Sequence, residues 1–226
     1  MNLIKPKKSL GQNFLIDKNV IDLIINAGNI KNNDVVFEVG PGTGNLTEKI
    51  LSKEPKKIFT VEKDKILAKK LVEKFKDKIF MINKDILHIN EENLSDRPMI
   101  VFGNLPYNIS TQILAKWIKI INLNKTFKRF ILMFQKEVGE RIVADTNKKN
   151  YGRLSILTSW RMNVKKITDV SPKSFFPIPK VKSTILLIEP KVKYYNLKNP
   201  KNLEYITSVF FNQRRKMIKK PINSLF

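Results

Sequence analysis

The sequence contains no cysteine and a single histidine, His88, in 226 residues. Without thiols there is no disulfide framework, no cysteine nucleophile and no thiolate metal ligand. With one imidazole, a multi-histidine metal site, a zinc deaminase and a Ser-His-Asp hydrolase each lack a required part. No apolar run approaches the length of a membrane span, and the first apolar stretch is interrupted by Lys5, Lys7 and Lys8. Neither a spanning helix nor a secretory signal is expected, which leaves a soluble, cytoplasmic protein with no membrane and no metal partner. Acidic residues are also scarce: 20 Asp and Glu stand against 43 Lys and Arg, a formal charge of +23. A bias toward Lys, Ile and Asn, the residues of A- and T-rich codons, accounts for part of the lysine excess. It does not account for so few acids, and the balance points to a polyanionic partner, nucleic acid first.

What the sequence does contain is an alternation of short β-branched or aromatic runs with longer segments of helical period. The runs predict strands near 35–39, 57–61, 79–82, 99–103, 129–134 and 183–188. Helices are expected near 17–28, 44–53, 64–76, 110–122, 136–145 and 152–161, with Asp17, Asp64 and Ser110 as N-caps. This is the pattern of an α/β domain with a mostly parallel sheet and helices on both faces. Beyond Pro190 the composition shifts: residues 191–226 hold nine Lys or Arg and one acid, Glu204. Helical stretches there, near 203–211 and 213–220, are too short to cover their own apolar faces. They are expected to dock weakly or remain mobile, leaning on the first domain, on a partner or on further residues, and their Arg214, Arg215, Lys216, Lys219 and Lys220 either contact phosphates or form a solvated charge run.

Three constellations carry chemistry. Glu38-Val-Gly-Pro-Gly-Thr-Gly-Asn falls where a strand ends and a helix begins, and glycines at 40, 42 and 44 allow a tight turn and close approach to a ligand. A dinucleotide fingerprint would place glycine where Asn45 stands, so that motif is not met. The next two strands are each followed by an acid, Glu62 and Asp85, positioned to hold a ribose diol and an adenine amino group. With no phosphate-binding GxxxxGK[ST] present, the outline is adenosine-shaped. Asn104-Leu105-Pro106-Tyr107 follows the fourth strand. Its chemistry suits the exocyclic amine of adenine, whose lone pair is delocalised into the ring. If the Asn104 side-chain oxygen and a backbone carbonyl near Leu105 or Pro106 accept the amine hydrogens, the lone pair is freed to attack an electrophilic methyl, while Tyr107 stacks on the base. Further on, Ser174-Phe175-Phe176 precedes the last strand. Either phenylalanine supplies the second face of an aromatic sandwich, with Lys180 and Lys182 near the RNA backbone, or both are core residues ahead of a proline-rich loop.

With GQNFLID at 11–17, EVGPGTG at 38–44, GNLPYNIS at 103–110, QKEVGERI at 135–142, YGRLS at 151–155, FPIPKVKS at 176–183 and FNQRRK at 211–216, the chain resembles the KsgA family of small-subunit (16S) ribosomal RNA adenine dimethyltransferases. These are relatives of the Erm large-subunit methyltransferases. The resemblance implies a Rossmann-like class I methyltransferase fold and S-adenosylmethionine as cofactor. It implies cofactor contacts from Asn13, Leu15, Gly40, Glu62, Asp85 and Asn104, and a catalytic set of Asn104, Leu105, Pro106, Tyr107 and Phe175, the last matching the family's stacking phenylalanine better than Phe176. The implied reaction places two methyls on each of two adjacent adenines near the 3′ end of small-subunit ribosomal RNA, with a role in maturation of that subunit. The implied partners are ribosomal RNA and the small ribosomal subunit, and a monomer is expected. The expected domains are a methyltransferase domain, 1–190, whose residues 1–16 form a basic arm and lid, and a partial helical C-terminal domain, 191–226, since family members usually continue for several more helices. Two rival readings remain at this stage: an Erm-like enzyme acting on large-subunit RNA, and a non-catalytic RNA-binding assembly or transcription factor on the same fold.

Overall fold

The structure is a computed structural model, and it describes residues 6–7, 10–212, 217–223 and 225. In chain order its elements begin β1 (Phe14–Leu15), α1 (Lys18–Gly28), β2 (Val35–Val39), α2 (Asn45–Leu51), β3 (Lys57–Val61), α3 (Lys65–Phe75) and β4 (Phe80–Ile82). There follow β5 (Met99–Asn104), α4 (Ser110–Ile118), α5 (Leu123–Thr126), β6 (Phe127–Gln135), α6 (Lys136–Ile142) and α7 (Arg153–Arg161). The last are β7 (Met162–Val170), β8 (Phe175–Phe176), β9 (Ser183–Pro190), α8 (Pro200–Asn212) and α9 (Lys219–Asn223).

Seven strands form one sheet in the order β4-β3-β2-β5-β6-β9-β7. The pairings from β4 through to β6 are parallel, and β9 runs antiparallel to both neighbours. Side-chain alternation along each strand divides the core in two. Val35, Phe37 and Val39 of β2 join the cluster built with Ile113, Leu114 and Trp117 of α4. Val36, Ile58 and Ile100 join Ile24 of α1, Ile50 of α2 and Leu71 of α3 on the other face. With both faces covered, every residue of β2 is buried, which is why VVFEV reads as a continuous run. The expected Rossmann-like methyltransferase architecture is the one observed.

Strand β2 lies between β3 and β5, so the chain leaves it toward opposite sides of the sheet. A crevice opens outside the carboxyl ends of strands at such a switch point, and this is where ligands bind in open α/β sheets. Local chemistry holds the framework in register. Asp17 accepts from the Asn19 and Val20 amides at the start of α1, and Asp64 accepts from the Ile66 amide at the start of α3. Ser110 does not cap. It is the first residue of α4, and its hydroxyl donates to the Tyr107 carbonyl.

Strand β7 has no counterpart in the sequence-based expectation. It forms the sheet edge and carries a register irregularity between Lys166 and Thr168, which breaks the period-2 pattern, while Lys165 and Lys166 stand exposed on it. Bulges and lysines are common protections of an edge strand, and both erase the strand signal. In the tail, α8 spans more than the expected 203–211 and packs on α7, with Thr207 buried, Phe211 edge-on to Tyr151, and Lys119 paired with Glu204 at 3.2 Å. Arg214, Arg215 and Lys216 lie outside the described residues.

Helix α6 sits so close to β9 that a Cβ built on Gly139 would meet Thr184 Cγ2 at 2.0 Å. Gly139→Ala should therefore cost about 1–3 kcal/mol of stability through overpacking. Urea unfolding of the variant beside the parent checks this, and an unchanged midpoint would show that α6 can move away freely.

Candidate active site

The cleft at the switch point has an empty volume of about 1200 Å³, including its open mouth. Four segments line it: residues 10–15, the glycine turn at 38–46, the ends of β3 and β4 with the loops beyond them, and residues 104–109. Asn13, Leu15, Gly40, Glu62, Asp85, Asn104, Leu105, Pro106 and Tyr107 all contribute to its lining. One expected site residue does not. Phe175 is 1% exposed, packed in the core cluster of α1 to α3, and paired across β8 and β1 with Leu15. In this arrangement its ring has no free face to stack on a base. Its neighbour Phe176, opposite Phe14, is 52% exposed.

The glycine turn leaves β2 with Gly40, Gly42 and Gly44 all at positive φ, 68°, 59° and 82°. Side chains rarely adopt that region, and at Gly42 a Cβ would also stand 2.8 Å from the Phe14 ring. The Gly42 amide donates to Glu62 Oε2 at 3.2 Å, and the Asp64 amide donates to Glu62 Oε1 at 2.9 Å. Backbone donors thus fix the Glu62 carboxylate at the end of β3. Burial raises its pKa despite these bonds. Asp85 differs: the hydrogen bond from Lys63, 2.8 Å away, holds its carboxyl below the usual range, and it remains an ionised acceptor.

Asn104 ends β5, in line with the end of β2 because Val39 pairs with Gly103. Its Nδ2 donates to the Asn13 backbone carbonyl at 2.7 Å. That bond turns the carboxamide so that Oδ1 is left as the acceptor. Leu105 is buried in the core, so only its backbone can serve a ligand, and the Pro106 carbonyl already accepts from the Ile109 amide. The Tyr107 hydroxyl and Ser183 Oγ are 2.6 Å apart, which pins the ring against the start of β9. Burial pushes the Tyr107 pKa up, so the phenol stays neutral.

Sequence reasoning missed several participants. Asn45, noted only for not being glycine, donates from Nδ2 to the Leu15 carbonyl at 2.8 Å and ties the N-terminal segment to α2. Gln12 reaches Asp64, and Lys63 pairs with Asp85. Gln12 and Asn45 lie within quoted motifs, but their roles were hidden because each acts through a partner distant in sequence.

Residues 4–226 match the family described as ribosomal RNA adenine dimethylase. The chain belongs to that family. It is 57% identical to the ribosomal RNA small subunit methyltransferase A of Pelagibacter ubique, over 99% of this chain and 85% of that protein. The protein of the same name from a Wolbachia of Drosophila simulans is 41% identical, over 99% and 82% of the two chains. Among solved structures, a dimethyladenosine transferase from Plasmodium falciparum superposes with a TM-score of 0.77 at 32% identity, covering 91% of this chain and 73% of that one. The 23S ribosomal RNA methyltransferase ErmE shares the fold, with a TM-score of 0.73 at 24% identity, covering 94% and 84%.

Glu38 has a position that its place in the glycine motif did not reveal. It projects from β2 into the base of the cleft, is 1% exposed, and makes no well-formed hydrogen bond, with the Thr47 hydroxyl as a polar neighbour. Burial pushes its pKa up to about 8; the neighbouring Thr47 offsets part of this and the Glu62 charge adds to it. Between the unfolded value of 4.5 and about 8 the folded chain holds a proton that the unfolded chain has released. Stability from this residue therefore falls as pH rises through that window. Glu38→Gln should remove the decline, making the ligand-free variant more stable than the parent at pH 8 and no more stable at pH 4.5. Urea unfolding at the two pH values decides it, and a parent equally or more stable at pH 8 would contradict the burial argument.

Proposed function

We infer that this chain transfers methyl groups to the exocyclic amines of two adjacent adenines near the 3′ end of small-subunit ribosomal RNA. The observation that carries the reading is the Asn104 carboxamide, held by Asn13 so that an acceptor remains at the end of β5, beside the glycine turn. An amine with two hydrogens needs two acceptors. Asn104 Oδ1 is one. The Leu105 carbonyl is the other, since that of Pro106 is engaged within its own turn. Accepting both hydrogens draws the lone pair out of conjugation and orients it, and once the new bond has formed the proton is acidic enough to leave without a strong base.

S-adenosylmethionine fits the cleft and, when bound, supplies the electrophilic methyl. The glycine turn offers backbone without side chains, and Glu62 and Asp85 offer acceptors at the ends of β3 and β4 for the ribose diol and the adenine amine. Glu38, a buried acid that burial keeps protonated, can ionise beside a ligand that brings positive charge. No group of three or more His, Cys, Asp or Glu suited to a metal occurs among the described residues.

Tyr107, its hydroxyl anchored on Ser183, presents a ring for stacking on a flipped base. Exposed Phe176, rather than buried Phe175, is the phenylalanine available for the second face. We assign residues 1–190 to the catalytic domain, with residues 1–16 as its arm, and 191–226 to capture of the ribosomal substrate, with Arg214, Arg215, Lys216, Lys219 and Lys220 as phosphate contacts. Action on small-subunit rather than large-subunit RNA is favoured by the names of the relatives at 57% and 41% identity.

Asn104→Ala removes one acceptor, and methylation of small subunits should fall at least tens-fold while RNA affinity changes little. Single-turnover methylation beside filter binding separates the two, and parallel losses would make Asn104 structural. Phe175→Ala should instead cost about 3–5 kcal/mol of stability, as a core truncation does. A normal unfolding midpoint with reduced methylation would return the stacking role to Phe175.

A further inference from the structure

Asp64 caps α3 with Oδ1, but its other oxygen faces the N-terminal segment. Oδ2 receives Gln12 Nε2 at 3.1 Å and pairs with Lys7 Nζ at 2.9 Å. The Lys7 amide donates to Gln12 Oε1 at 2.7 Å, closing a three-residue ring. Asp64 is 4% exposed, so burial works against its charge; the bonds from Lys7, Gln12 and Ile66 outweigh it and hold its pKa below the ordinary value. One residue beyond Gln12, the Asn13 carbonyl accepts from Asn104, and at Leu15 the segment is tied again by Asn45.

We propose that Lys7, Gln12 and Asp64 form a latch that positions the Asn104 carboxamide by holding residues 10–15 along the cleft. A carboxamide can turn over, exchanging its donor end for its acceptor end. The Asn13 carbonyl removes that freedom only while the arm is docked, because it can take a hydrogen from Nδ2 and can give nothing to Oδ1. With the arm lifted, the Asn104 NH₂ can face the substrate, presenting a donor to an amine that also needs acceptors. Asp64 reaches the cleft a second way, through its amide bond to Glu62. Arm docking is thereby coupled to both the acceptor at β5 and the carboxylate at β3. Lys7, Gln12 and Asp64 act through these groups and are positioning residues. The effect on turnover rests on the role given to Asn104 above; the effect on amide orientation does not.

Two variants separate a latch from general damage. Gln12→Glu sets a carboxylate against Asp64. Adding Asp64→Asn exchanges amide for carboxylate, keeping one donor, one acceptor and an oxygen for the Ile66 cap, while the Lys7 ammonium must turn from residue 64 to the carboxylate now at residue 12. Turnover at saturating cofactor and small subunits should fall about ten-fold or more in the single variant and recover most of that in the double. Hydrogen exchange of the Asn104 side-chain amide, followed by NMR in the intact chain without cofactor, should lose protection in the single variant and regain it in the double. Gln12→Ala gives the same readouts without introducing charge. Amide protection and turnover unchanged in both Gln12 variants, or a double variant no better than the single one, would overturn the latch. Lost protection with full turnover would leave the latch standing and overturn the role of Asn104 in the reaction.

Discussion

The parallel pairing of β2 with β5 sets the position of everything in the cleft. Its register runs from Val35 against Met99 to Val39 against Gly103. The glycine turn and Asn104 are the next residues to emerge from the two strands, so they emerge side by side. A slip of one residue would invert the side-chain faces of β5 and carry Asn104 off the cleft. What prevents it is burial on both sides: Ile100 and Phe102 belong to one core cluster, Met99 and Val101 to the other. The chemistry at the strand ends is thus placed by packing some distance below it.

On this fixed floor the N-terminal segment lies as a strap made mostly of polar bonds. Its attachments, to Asp64, Asn104, Asn45 and Ser174, come from four different elements. β1 pairs with β8 through only two residue pairs, so the apolar contribution there is concentrated in Phe14, Leu15 and Phe175. Such an attachment can open locally at a fraction of the cost of global unfolding, as a segment flanking a ligand site must.

The charges are segregated in a way that the total of +23 conceals. Lysines dominate the surface, whereas the cleft holds the carboxyl groups of Glu38 and Glu62, both raised by burial, and of Asp85, lowered by Lys63. The outside thereby favours a polyanion, and the inside favours a ligand with hydroxyl and amino donors and positive charge. The two halves of the proposed reaction call for those two environments.

The fold class, the six strands of strong pattern and the glycine turn were legible in the sequence because their signals are local: continuous burial, helical period, caps at Asp17 and Asp64. The acids after β3 and β4 and the motif at the end of β5 were legible as cleft-lining residues because their positions follow from strand order. What the tertiary structure decided are the contacts that sequence distance hides. Asn104 is oriented by a carbonyl 91 residues away, and Asp17 meets Ser174 across 157. Strand β7 lost its pattern to a bulge at an edge. Phe175 and Phe176 are chemically identical neighbours, and strand alternation alone sends one into the core and the other outward. In the sequence Glu38 is one letter of a glycine motif; only its enclosure makes it a buried acid with a raised pKa. Sequence specifies which groups a strand delivers, and packing decides which of them water can no longer reach.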